Sequence, residues 1–221
     1  MNLYRTYVEL RSAPPALRAV RAARRAGIAT APRFALQPIL RLLSRDCASV
    51  IDVGTGLMHS LERSRVKVRI GLDAHRPYLT HRRVADAVPL NAPASALTEL
   101  FVPGAVDLVT AIDVLEHFDA GDADGFLADA EQVAARRVAL FTPRGHFPQE
   151  GHDAYDLGGE ELQRHRSTWE PEDLTERGYA VVVLRGYHGP WNSSFVEAFG
   201  ADAKPRDALV AWKDVTNPLR R

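Results

Sequence analysis

An acid, two glycines and a second acid stand at a spacing that can hold a charged nucleoside: Asp52-Val53-Gly54-Thr55-Gly56, then Asp73 seventeen residues after Gly56. The glycines let the backbone turn sharply and come close to a ligand, and a helix starting after them offers free N–H groups to an anionic group. An acid closing the next strand can accept both hydroxyls of a ribose. A dinucleotide fingerprint would need a third glycine three residues after the second, and that position is His59. Four histidines, His117, His146, His152 and His165, could serve as a base near neutral pH. His146 is favoured because it follows an apolar run closely, whereas His165 reads as a loop anchor. His59, His75 and His81 lie on divergent segments with no Cys or carboxylate at familiar ligand spacing, so no metal is expected. A Ser-His-Asp hydrolase is disfavoured by the lack of a Gly-x-Ser-x-Gly elbow.

These residues need a scaffold, and the apolar pattern supplies one. Short β-branched runs at 49–53, 66–73, 84–87, 106–112, 138–141, 179–184 and 208–212 read as seven strands. Residues 59–65 and 122–135 read as helices between strands, and Trp169-Glu170-Pro171-Glu172-Asp173 as a helix start with proline and acids in its first turn. Alternation of this kind predicts a parallel sheet covered by helices on both faces. Upstream, apolar spacing from 17 to 44 predicts two helices, broken near Ala31-Pro32 because a residue before proline avoids helical angles. Residues 142–167 form a polar stretch directly after a strand, where such proteins place ligand chemistry. We therefore divide the chain into an N-terminal helical extension over 1–46, expected to act as a lid, and a nucleoside-binding domain over 47–221.

Composition narrows the class. The 221 residues suit one catalytic-size domain, and 46% hydrophobic with 25% charged residues fits a globular chain. No apolar run reaches the roughly 18 residues that would span a membrane, and the start of the chain lacks the unbroken apolar stretch of a secretory signal. With Cys47 alone, which reads as a strand-edge residue, no internal disulfide forms, and a cytoplasmic location is expected. Residues 1–50 carry nine arginines against Glu9 and Asp46, an excess that faces either the acidic remainder or an anionic substrate.

The acid before the elbow resembles the Asp/Glu-x-Gly-x-Gly motif of class I S-adenosylmethionine (SAM)-dependent methyltransferases, in which another glycine usually stands at the position of Met58. Residues 84–87 resemble that family's third-strand motif, and 106–118, running into Leu115-Glu116-His117, its fourth-strand segment. Phe141-Thr142-Pro143-Arg144-Gly145 is similar to its strand-five end; Pro148-Gln149 and His165-Arg166-Ser167 with Trp169 look like a subgroup of small bacterial enzymes. The resemblance covers roughly residues 48–213. It implies an α/β, Rossmann-like, seven-stranded, mostly parallel sheet and SAM as cofactor. It further implies Asp52, Gly54, Thr55 and Gly56 at the methionine part, Asp73 at the ribose, Asp86 and Ala87 beside the adenine, and Asp113 near the ammonium. His146 and His117 become the catalytic candidates; Gln149, Tyr155, His165 and Trp169 line the acceptor.

The implied activity is methyl transfer to an oxygen, nitrogen or carbon of a small metabolite or natural-product intermediate. Three alternatives stay open: an RNA methyltransferase, a non-catalytic methyltransferase-like binding protein and an NAD-dependent oxidoreductase. A pI near 7.1 and the lack of an aromatic-basic motif disfavour nucleic acid as a partner. A homodimer is compatible with the sequence, and no membrane partner is expected.

Overall fold

A computed structural model describes residues 3–216. One eight-stranded sheet runs in the order β1-β7-β8-β6-β5-β2-β3-β4. Its strands are β1 (Ile28–Pro32), β2 (Ser49–Val53), β3 (Val68–Asp73), β4 (Val88–Asn91), β5 (Val106–Ile112), β6 (Ala134–Pro143), β7 (Ala180–His188) and β8 (Arg206–Asp214). All neighbours are parallel except at β8, which is antiparallel to both β6 and β7. The helices are α1 (Leu3–Ala26), α2 (Leu36–Ser44), α3 (His59–Glu62), α4 (Arg76–Thr80), α5 (Leu97–Leu100), α6 (Ala120–Val133), α7 (Pro171–Glu176) and α8 (Ser193–Phe199). Among the described residues, no helix is long and apolar enough to cross a membrane.

Two apolar layers hold the sheet, one on each face, and strand alternation decides which residue joins which. Val50, Leu108, Ala139, Phe141 and Val182 pack with Ala19 and Ala23 of α1 and Ile39 and Leu43 of α2. Their strand neighbours Ile51, Val109, Leu140 and Val181 turn the other way, onto Phe126, Leu127 and Ala130 of α6 and Leu174 of α7. Leu36, Ile39 and Leu43 are buried at helical spacing, so α2 presents one apolar stripe to the sheet. At α7 the expected start is present: Pro171 opens the helix and the Glu170 N–H donates to Asp173 Oδ2 at 2.8 Å.

The sheet differs from expectation at two edges. Residues 28–32, read as a turn between helices, form β1, an eighth strand paired in parallel with β7 from Ile28↔Val181 to Pro32↔Arg185. Beside Pro32 an edge strand is permissible because a proline can sit where no ladder donor is needed. The N-terminal segment thus belongs to the sheet and one of its layers, and no described side chain of 13–46 lines either crevice cavity, which is not the placement expected of a lid. At the far edge the strand is Val88–Asn91, not 84–87. Pro89 and the polar Asn91 hide the strand in the sequence, whereas the apolar 84–87 stretch is a turn whose Val84 and Ala87 join the α1 and α2 layer.

Chain order reverses between β2 and β5: β2 leads outward to β3 and β4, and the chain then returns to lay β5 on β2's other side. Loops at the carboxyl ends of β2 and β5 therefore diverge to opposite faces, and the gap between them is where open α/β sheets bind ligands.

Candidate active site

The elbow after β2 is built by Asp52. This carboxylate lies in register with Gly71 of β3 and Thr110 of β5. Buried there, it accepts hydroxyl bonds from Thr55 (2.9 Å), Thr110 (2.6 Å) and Ser60, so it ties the elbow, the adjoining strand and α3 together. Burial pushes its carboxyl up, and the three hydroxyl bonds pull against that rise. Gly54 and Gly56 have φ of 62° and 53°. At Gly54 a Cβ would stand 2.5 Å from Val114 Cγ2, so both conformation and space demand glycine. Met58 takes φ 65°, the left-handed geometry of a glycine, with its side chain fully buried. The backbone shape associated with glycine is kept, and the thioether packs beside Gly71, where a Cβ would meet Met58 Cε at 2.7 Å.

Asp73, ending β3, accepts the Gly56 N–H on Oδ2 at 2.8 Å and the His75 N–H on Oδ1 at 2.7 Å. Each carboxylate oxygen keeps a further lone pair for a ligand. Burial raises this carboxyl, and the two backbone bonds oppose it. Asn91, next to it on β4, donates to the carbonyls of Asp73 (2.9 Å) and Ala74 (3.0 Å). Asp113 follows β5 with φ 55°, and its N–H donates to the Phe141 carbonyl at 2.9 Å. Its side chain opens to the crevice while protein surrounds it at longer range, so desolvation and then the nearby Glu116 drive its carboxyl well up.

Two cavities meet at Gly54, Gly56, Asp113 and His117. One of about 640 Å³ runs past Asp73, Ala74, Pro93, Ala94 and Phe118. The other, of about 300 Å³, is lined by Glu116, Gln149, Tyr155, His165 and His188 among others. Its walls come from the polar stretch after β6, held by backbone bonds. Arg166 and Ser167 N–H groups donate to the Glu116 carbonyl (2.8 and 3.1 Å), and the His165 N–H to the Gln149 carbonyl (2.9 Å). Gln149 Nε2 donates to the Gln163 carbonyl at 2.7 Å. Asp153 gathers the outer loop by accepting from the N–H groups of Tyr155, Leu157 and Gly159 and from the Tyr78 hydroxyl. Its slight burial would raise the carboxyl, yet those bonds win and hold it at about 2. The loop lays Tyr155 over Gly56 and edge-on to Tyr78.

The expected residues divide accordingly. Asp52, Gly54, Thr55, Gly56, Asp73, Asp113, His117, Gln149, Tyr155 and His165 all line one or both cavities. Asp86 and Ala87 do not: they precede β4, at the opposite end of the sheet, where Asp86, 74% exposed, pairs with Arg69. Pro93 and Ala94, after β4, hold the place expected for Asp86 and Ala87. His146 is exposed and outside both cavities, because Phe147, not His146, turns inward among aromatic rings. Trp169 is buried in the layer beneath the sheet, its indole N–H on Ser167 Oγ at 2.9 Å, and lines neither of the two cavities.

Sequence reasoning missed His188, Asp153 and Glu116 as site residues. His188 closes β7 and lines the smaller cavity, and both its ring nitrogens are buried without a partner among the described residues. Burial lowers it to about 4, with His165 adding to the fall. His165 likewise falls to about 4, first through burial. Glu116, 3% exposed, rises to about 7 by burial, against its own backbone N–H and the Thr142 hydroxyl at 2.9 Å. Only the Leu-Glu-His likeness pointed to Glu116, and nothing in the sequence marked the other two.

No family model matches the sequence, and no curated protein matches it. Solved structures do match in shape. A SAM-dependent methyltransferase from Archaeoglobus fulgidus superposes with TM-score 0.53 at 16% identity, over 83% of this chain and 95% of that one. A plantazolicin methyltransferase in complex with a triazolic desmethylPZN analogue and S-adenosylhomocysteine (SAH) gives 0.53 at 13%, over 96% and 91%. Magnesium protoporphyrin IX methyltransferase from Synechocystis, with bound SAH, gives 0.50 at 12%, over 80% and 79%. The chain has the class I SAM-dependent methyltransferase fold.

Proposed function

We propose that this protein is a SAM-dependent methyltransferase acting on a small molecule. The carrying observation is the bond from Gly56 N–H to Asp73 Oδ2, at the switch point where the two cavities join. That bond locks a glycine elbow to a strand-end carboxylate, and the cradle fits a nucleoside whose far end is charged: a Cβ at Gly54 would close it, and Asp73 retains lone pairs for ribose hydroxyls. Pro93, Ala94 and Phe118 give the larger cavity an apolar end suited to a purine. Asp113, at the junction, suits an ammonium.

SAM supplies a methyl already activated on a sulfonium. The chain's own task is to hold an acceptor in line with it and keep competing water out. Three imidazoles, the half-buried His117 and His165 and the buried His188, face the smaller cavity, and desolvation lowers each of them, so they stand neutral at pH 7 and offer lone pairs to an acceptor. Gln149 and Tyr155 add amide and phenol groups to the same wall. A cavity of about 300 Å³ suits a small polar acceptor, at the lower end of small-molecule sites. The porphyrin and plantazolicin enzymes of the same fold act on small molecules, in agreement with this reading.

Calorimetry with SAM tests the cradle. Asp73→Ala should weaken binding by about 1–3 kcal/mol, the scale for hydrogen bonds to a charged group. Unchanged affinity would refute the ribose assignment. A labelled-methyl screen against small-molecule and RNA pools tests the acceptor class, and label found only in RNA would overturn it.

A further inference from the structure

Glu116, His117 and His165 each offer one ligand atom, and the three atoms lie within 4.8 Å of one another. All three residues line the smaller cavity. We propose that they hold a first-row divalent cation of the zinc type, with its remaining positions open to the cavity.

The outer bonds already have the form of a ligand set. His117 Nδ1 sits 3.1 Å from the Arg164 carbonyl and His165 Nδ1 2.7 Å from the Phe147 carbonyl. A carbonyl only accepts, so each Nδ1 carries the proton, and in the neutral ring Nε2 carries the lone pair that a metal needs. Glu116 is oriented by the Thr142 hydroxyl on Oε2 and by its own backbone N–H, and its carboxylate oxygens keep further lone pairs for an ion. Glu116 is almost fully buried and, among the described residues, no Lys or Arg contributes to its electrostatics. A carboxyl in that position either holds a proton or faces a cation, and a bound ion would keep it ionised. The three candidate ligand atoms thus converge beside the cavity at a separation that a single ion spans. Two imidazoles and one carboxylate select zinc, iron or cobalt over magnesium, which prefers oxygen and water. Three protein ligands with an open side also match a site that binds a further molecule. Asp113, which interacts electrostatically with Glu116 and His117, stands at the junction of the two cavities. That an oxygen of the methyl acceptor completes the shell rests on the methyl-transfer reading; binding of the ion does not.

The test uses tag-free full-length protein stripped with EDTA, with Co²⁺ as a spectroscopic probe. One equivalent should give visible d–d bands, displaced by one equivalent of Zn²⁺ and not by Mg²⁺. His165→Gln and Glu116→Gln should each weaken Co²⁺ binding by more than about 100-fold, and Thr142→Val by about 10–100-fold. SAM affinity, measured in parallel by calorimetry, should stay within about threefold in all three variants and so certify their folding. Stoichiometric Co²⁺ binding unaffected by His165→Gln, or no binding by wild-type protein that binds SAM, overturns the site. Metal binding without SAM binding would sink the methyltransferase reading and leave this one standing.

Discussion

On one side of the crevice, Gly54, Gly56 and Asp73 come from a single strand-turn-strand unit, and the contact that unites them is a backbone N–H on a carboxylate. On the other side, His117, Gln149, His165 and His188 come from three separate segments, the first three stitched by side-chain bonds to carbonyls of the loop after β6 and His188 held by packing among aromatic rings. The first region takes its shape from φ angles that few residues tolerate, and the second from burial of groups that would rather be in water. A backbone-built site fails when one atom is added; a site made from buried rings fails when the protonation state changes.

The largest expected effect lies on the backbone side. Gly54→Ala adds a Cβ 2.5 Å from Val114 Cγ2 at a residue with φ 62°. Left-handed strain of about 1–2 kcal/mol and overpacking of about 1–3 kcal/mol both oppose it. Urea unfolding should show a loss of about 2–5 kcal/mol, or the elbow should move and abolish SAM binding at millimolar concentration. A variant as stable as wild type with unchanged SAM affinity would show that the elbow is not fixed by its geometry. Met58 shows how such strain is sustained: a left-handed residue survives because its side chain fills the core beside Gly71.

His188→Phe probes the other side, with an effect that grows as pH falls. In the folded protein His188 takes up a proton only near pH 4, whereas in an unfolded chain it does so near 6.5. Between those values the unfolded chain binds the extra proton, so stability rises with pH and is lost as pH drops below about 6.5. At pH 5 this one group costs the wild type about 2 kcal/mol relative to pH 7. Phenylalanine cannot titrate and fits among Phe141, Phe147 and Tyr187. Urea melts of metal-free protein at both pH values should show the variant gaining about 2 kcal/mol on wild type at pH 5. Equal pH slopes would mean that His188 is hydrated or charged in the fold.

The same contrast explains what could be read in advance. Sheet class, elbow and Asp73 were legible because β-branched runs and glycines act within a few residues. β1 was hidden because Ile28–Pro32 is short, half-exposed and ends in proline, so its pairing with β7 decides its conformation and local propensity does not. At β4 the more apolar neighbouring stretch, 84–87, misled: that edge strand is mostly exposed and needs no apolar run, and the misreading carried Asp86 and Ala87 to the wrong end of the sheet. His188 and Asp153 depend on contacts between distant segments, which no spacing encodes.

His146 and His117 give the smallest and sharpest contrast, two candidate histidines of which the sequence favoured His146. Gly145 has φ 71° and its N–H donates to the Trp169 carbonyl at 2.9 Å, so the chain leaving β6 turns and sends Phe147 into the aromatic cluster with His146 outside. An exposed imidazole that lines neither cavity cannot reach an acceptor held beside Asp113. His146→Ala should therefore change methyl-transfer kcat/KM by less than about twofold, under roughly 0.5 kcal/mol. His117→Ala, which removes a group shared by both cavities, should lower it by at least about tenfold. A loss at His146 matching that at His117 would mean that the loop after β6 closes over the acceptor in another arrangement, and that the side of the crevice made from distant segments is set by its ligand.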